Sequence, residues 1–169
     1  GVTVEKIEGV FKYHNEKFKL VDLPGIYSLT SYTMEEKLSR EFILDSNVDV
    51  IVNVVDASSL ERNLYLTLQL IELGKPVIVA LNMMDIIEER GMEIDLHRLP
   101  EMLGVPVIPV SARKKTGLDI LMHAVAHHKD KHSNLNFEHH HHPRHRNVNK
   151  NKYRHRNRRN CHCKFPLIY

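Results

Sequence analysis

The apolar positions along this chain fall into two rhythms. Val48–Val55, Pro76–Leu81 and Val105–Val110 are aliphatic runs, rich in β-branched residues, with almost no polar residue. Runs of that kind suit strands buried on both faces of a parallel sheet. Between them the spacing turns helical. Met34–Leu44 places Leu38 and Phe42 on one face beneath a mixed-charge surface. Leu60–Leu73 is expected as a helix, capped by Ser59 and stopped by Gly74. Asp95–Leu103, ending at Gly104, and Leu118–His128 complete the helical set. Nearer the start, Val2–Val4 and Val10–Tyr13 read as extended. His14-Asn15-Glu16 reads as a hairpin turn and Lys17–Asp22 as a strand, closed by Pro24-Gly25. Strands alternating with helices across short connections predict a doubly wound α/β sheet.

Charge divides the chain where the rhythm fades. Residues 1–138 hold 15 Lys/Arg against 21 Asp/Glu, whereas residues 139–169 hold nine Lys/Arg and no acid. A mildly acidic body argues against nucleic acid as a partner. Both cysteines, Cys161 and Cys163, lie in the basic segment, so the body has no disulfide framework, which fits a reducing compartment. The apolar runs are far shorter than the roughly 20 residues of a spanning helix, and no membrane span or signal peptide is expected. A chain opening on Gly1 rather than Met is expected to be part of something longer.

Polar motifs follow the strands, at the sheet rim where such folds bind ligands. Asp22-Leu23-Pro24-Gly25 is a D-x-x-G. Its carboxylate can hold a magnesium-bound water, and its glycine lets a backbone N–H approach a terminal phosphate. A strand followed by a turn would give the same four residues. Asn82-Met83-Met84-Asp85 is an N-x-x-D. A carboxylate there can accept from the N1–H and exocyclic amine of guanine, a donor pair that adenine lacks. The plain alternative is Asp85 as a helix cap. Ser111-Ala112 offers a backbone N–H to the guanine carbonyl oxygen, but a dipeptide alone says little.

Order and spacing add what the single motifs lack. D-x-x-G, then N-x-x-D some sixty residues on, then S-A after a further strand resembles the GTPase superfamily. Gly1–Glu5 resembles its switch I threonine segment. Gly1–Glu5, Val21–Leu29, Val54–Leu70 and Pro76–Asp85 together resemble the G domain of ferrous iron transport protein B over roughly residues 1–130, with Val54–Leu70 the most specific part. The resemblance implies a Ras-like P-loop GTPase fold, a three-layer α/β architecture with a mostly parallel sheet. It implies GTP or GDP and Mg2+ as cofactors, with K+ assisting hydrolysis. Thr3, Asp22, Gly25, Asn82, Asp85, Ser111 and Ala112 would be the nucleotide-site residues, with Thr3 and Asp22 on Mg2+, Asp22 through water. It also implies a membrane channel domain of the same transporter as partner, and the cytoplasmic face of the inner membrane as location.

The sequence departs from that pattern. It contains no G-x-x-x-x-G-K-[ST] loop, and the fold is expected to lack its first strand, that loop and its first helix, leaving a gap in mid-sheet. Hydrolysis is therefore not expected from this chain alone. Ile26 follows the D-x-x-G glycine, where a glutamine would orient the attacking water. A second reading, from another class, is a non-enzymatic metal- or anion-binding module at the His-rich end. His123 and His127 stand at i, i+4, where paired imidazoles can bind zinc, copper or nickel. A solvated helix face is the simpler explanation. Residues 131–169 are expected to be a His-rich, basic, disordered tail, apart from a G domain over residues 1–130.

Overall fold

The computed structural model describes residues 7–30, 33–44, 47–135 and 163–168. Val2–Val4 and Thr3 lie outside them, as do His139–His142 and Cys161. Two antiparallel strands open the described chain, β1 (Ile7–Tyr13) and β2 (Glu16–Asp22). His14 and Asn15 both take positive φ, 44° and 66°, in the tight turn whose twist matches that of a hairpin. There follow α1 (Met34–Leu44), β3 (Ile51–Asp56), α2 (Leu60–Glu72), β4 (Val77–Asn82), α3 (Met84–Glu89), α4 (Arg98–Leu103), β5 (Val107–Pro109), α5 (Leu118–Leu135) and β6 (Cys163–Ile168).

One six-stranded sheet runs in the order β1-β2-β6-β3-β4-β5. Every neighbouring pair from β2 to β5 is parallel, and only β1 is antiparallel. The three aliphatic runs each form a strand, starting later than expected; β3 and β4 run one residue further, to Asp56 and Asn82, and β5 keeps only Val107–Pro109. Ile51, Val52, Val55, Val77, Ile78, Val79, Ala80 and Leu81 are all buried, so β3 and β4 are covered on both faces. On one face Leu66 and Leu70 of α2 and Ile43 of α1 pack with Val21 and Ile51. On the other, Val125 of α5 packs with Phe18, Val52 and Ile78. The second face is incompletely filled. An apolar cavity of about 260 Å³ lies between Leu20, Val54 and Ala80 of the sheet and Leu121, Met122 and Val125 of α5.

Local expectations are corrected in several places. Ser59 makes no capping bond to α2; Asp56 accepts from the Ser58 N–H at 2.8 Å and the Ser58 hydroxyl at 2.7 Å, ahead of the helix. A carboxylate at the strand end satisfies the turn before Ser59 can. α4 starts at Arg98, because Asp95 Oδ1 accepts from the Arg98 N–H at 2.9 Å and draws the chain into a turn first. α3 was hidden by its length of six residues.

The larger correction concerns the C-terminal segment. The expected separation at residue 130 falls inside α5, which continues to Leu135. Cys163–Ile168, placed by expectation in a disordered tail, instead forms β6. The mid-sheet position expected to stand empty is filled by that strand, which pairs with β2 through Phe18–Asp22 and with β3 through Val52 and Asn53. Backbone N–H and C=O groups left open on two facing strand edges are strong hydrogen-bonding groups, and a third strand satisfies both sets.

Candidate nucleotide site

Because β2, β6, β3, β4 and β5 are parallel, their carboxyl ends share one side of the sheet. Asp22 ends β2, Asp56 ends β3 and Asn82 ends β4, while Ser111 follows β5 closely. The rim is stepped. Asp22 pairs in register with Leu167, which pairs with Val52, so Asp22 stands level with a residue four positions before Asp56.

The N-x-x-D and S-A motifs meet in one cluster. Asn82 Oδ1 accepts from the Ala112 N–H at 3.0 Å and ties the two loops together. Met83 adopts φ +67°, an uncommon conformation for a side chain of its size. This reversal starts α3 and directs Asp85, in its first turn, toward Ser111. Asp85 is therefore no helix cap: the N-cap residue is Met83, without a side-chain bond. Ser111 Oγ donates to Asp85 Oδ1 at 2.8 Å and accepts from the Lys114 N–H at 3.1 Å. Only 2% of the Asp85 surface is exposed. The Ser111 hydroxyl, foremost, holds its carboxyl below the ordinary range; burial opposes this and the Arg113 guanidinium assists it.

Arg113 was not among the expected site residues. Its Nε lies 2.6 Å from Asp85 Oδ2, and its Nη2 meets Glu89. The Asp85 contact is an ion pair rather than an aligned hydrogen bond, for Oδ2 has no hydrogen-bond donor. One signal could have found it: a guanidinium two residues after the serine that holds the carboxylate. Gly117 shapes the same loop. The Ser111 and Thr116 N–H groups each donate to the other residue's carbonyl at 3.1 Å, and Gly117 follows with φ +75°. A Cβ there would stand 2.2 Å from the Pro109 carbonyl oxygen, so only glycine fits.

The D-x-x-G segment lies apart from this cluster, across β6 and β3 in the sheet. Asp22 Oδ1 is buried without a hydrogen-bond partner. Gly25 is exposed, and Leu23, Ile26 and Leu29 on either side are buried in the core. Ile26 is thus a packing residue of the core. His123 and His127 are exposed on α5 with stacked rings, centroids 5.9 Å apart. Among the described residues no group of three His, Cys, Asp or Glu is placed to hold a metal ion, and no helix is long and apolar enough to cross a membrane.

A mostly parallel sheet wound on both faces, with the N-x-x-D and S-A motifs brought together beyond its carboxyl rim, defines a GTPase-type G domain. A sequence model of ferrous iron transport protein B matches residues 1–125, and the chain belongs to that family. It is 47% identical over 135 residues to the Fe(2+) transporter FeoB of Legionella pneumophila (strain Paris), an alignment covering 78% of this chain and 18% of that protein. The chain thus spans less than a fifth of the curated relatives' length. Among solved structures, it is similar to the FeoB G-domain from Methanococcus jannaschii, with 50% identity, a TM-score of 0.72, and coverage of 75% of this chain and 81% of that one. It is also similar to mGMPPNP-bound NFeoB from S. thermophilus, with 48% identity, a TM-score of 0.69, and coverage of 77% and 50%.

Proposed function

We propose that this chain is the guanine-nucleotide-binding regulatory domain of a ferrous iron transporter, with Asn82, Asp85, Ser111 and Ala112 forming its base-reading end. One observation carries the reading. Buried side-chain atoms without a hydrogen-bond partner number three among the described residues, and two of them are Asp22 Oδ1 and Asp85 Oδ2. An orphaned carboxylate oxygen is costly at Asp22, and Asp85 Oδ2 has only the unaligned ion pair with Arg113, so both acidic motif positions keep an oxygen able to accept from a ligand. Asp85 Oδ2 would accept from the guanine edge. Asp22 Oδ1 would accept from a water on Mg2+, an ion that would neutralise phosphate charge when bound. Thr3 would complete the magnesium ligation, and the Gly25 N–H would meet the terminal phosphate. K+ would assist hydrolysis in the whole protein.

Hydrolysis belongs to the whole protein rather than to this chain. The sequence offers neither a phosphate-loop lysine nor its backbone cradle, and these supply most of the charge stabilisation in phosphoryl transfer. The partner is the membrane channel of the same transporter, with the domain on the cytoplasmic face, where GTP would couple to Fe(II) uptake. The similar S. thermophilus NFeoB structures, bound to GDP and to mGMPPNP, support guanine nucleotides as ligands.

The test is selectivity. GDP titrated into isotopically labelled chain is expected to shift the Asn82, Asp85, Ser111 and Ala112 amide resonances, and ADP is not. Asp85→Asn should weaken GDP binding by about 2 kcal/mol or more, as for a hydrogen bond to a charged group. Equal responses to GDP and ADP, or an indifferent Asp85→Asn, would overturn the reading.

A further inference from the structure

Asp85 is the residue a guanine must reach, yet it is closed off. Its Oδ1 is engaged by Ser111, and the guanidinium of Arg113 stands 2.6 Å from Oδ2. The carboxylate is 2% exposed with Arg113 in this position, whereas the Arg113 side chain is 59% exposed. Glu89 holds its other end, and Glu89 is itself half exposed. A planar guanidinium presents adjacent N–H donors much as the N1–H and exocyclic amine of guanine do. Here the cation turns its Nε toward Asp85 Oδ2 and its Nη2 toward Glu89, so it places a positive charge where the base edge would approach.

We infer that Arg113 is a displaceable plug of the base pocket, a residue that sets guanine-nucleotide affinity by competing with the base for Asp85. The inference rests on the reading of Asn82–Asp85 as the base-reading motif. Its physical basis is the empty state. A buried carboxylate left without a counter-charge is strongly disfavoured, and Arg113 supplies that charge when no base is present. Stabilising the empty pocket lowers affinity for whatever must displace the stabiliser, because a competing state is favoured. On entry of a base, Arg113 leaves Asp85 and remains on Glu89; on its departure, Arg113 returns. Ser111 need not move, since a carboxylate has lone pairs for its hydroxyl and for the base together.

This role differs in sign from ordinary support of the site. A residue that merely positions Asp85 would, when removed, lower both stability and nucleotide affinity. A plug, when removed, lowers the stability of the empty chain and raises affinity. Arg113→Ala and Arg113→Lys are therefore compared with the unaltered chain in GDP titrations followed by amide shifts, beside thermal melts without nucleotide. Arg113→Ala is expected to bind GDP at least about fivefold more tightly, the lower end of ordinary coupling between two binding events. Its melting point without nucleotide should fall. The Arg113 Nε–H signal of the unaltered chain should move toward its free-solution position as GDP is added. Arg113→Lys, which keeps the charge and loses the planar donor array, should fall between the two.

Unchanged or weaker GDP binding by Arg113→Ala overturns the plug. So does an Arg113 Nε–H signal that stays put while Asp85 and Ser111 respond to GDP. If millimolar GDP moves none of the Asn82, Asp85 and Ser111 signals in either chain, the base-reading assignment itself falls and the plug falls with it. That outcome is told apart from the others by the silence of all three residues.

Discussion

Asp85 acquires its chemistry from neighbours that sequence spacing does not reveal. N-x-x-D was legible as a motif, and so was the S-A that meets it, but the ion pair with Arg113 appears only when α3 and the loop after β5 are folded together. A pH dependence follows from the lowered pKa of Asp85. An unfolded aspartate titrates near 3.9, and the folded one titrates lower. The stability it contributes is therefore complete above about pH 4 and is lost as pH falls through the lower folded value. Denaturant melts between neutral and strongly acid pH should show this loss, and Asp85→Asn should flatten that part of the profile. Gly117 makes a second prediction at this scale. A methyl group 2.2 Å from the Pro109 carbonyl oxygen must displace backbone, at a φ of +75° that alanine rarely adopts. Gly117→Ala should cost about 2 kcal/mol or more, measured by chemical denaturation.

Among the elements, those with long unmixed apolar runs were the most readily recognised. β3 and β4 announce themselves by burial on both faces, yet one residue in β3 breaks the rule. Asn53 is buried at the centre of the sheet, and its amide donates to Thr67 Oγ1 of α2 at 2.7 Å. Thr67 in turn donates to the Asn63 carbonyl at 3.3 Å. This polar bridge fixes how α2 lies on β3. Thr67→Val keeps the shape and strips the acceptor, so it should destabilise by about 1–3 kcal/mol in denaturant melts. Asn53→Leu combined with it should recover part of that loss, because no donor then remains unpaired. β6 was the least legible element, for a physical reason. Pro166 cannot donate to a ladder, and proline within a short run argues against a central strand. Only the two open edges of β2 and β3, invisible in local sequence, select that segment.

For the whole molecule, the fold class and the side of the sheet bearing the motifs were readable from alternation alone. The closure of the sheet was not. Removing Cys163–Ile168 takes away the strand through which β2 and β3 are joined. Such a truncation should lower the melting temperature by at least about 5 °C, the shift that roughly 2 kcal/mol produces at this chain length. An unchanged melting temperature would show that the two halves hold together through α1, α2 and α5 alone. The position of β6 also has a consequence in time. A ribosome delivers β1 through β5 first and β6 last, 54 residues after Pro109. At about 5–20 residues per second, the completed β3–β4–β5 unit waits some 3–11 seconds, and the β1–β2 hairpin about 7–28 seconds, before the strand between them emerges. During that interval each unit presents an unpaired edge to the crowded space around a polysome, where neighbouring nascent chains carry identical edges. A β6 that enters its neighbour's sheet rather than its own would link two chains reciprocally, so the order of synthesis makes an intertwined dimer the characteristic misassembly of this topology.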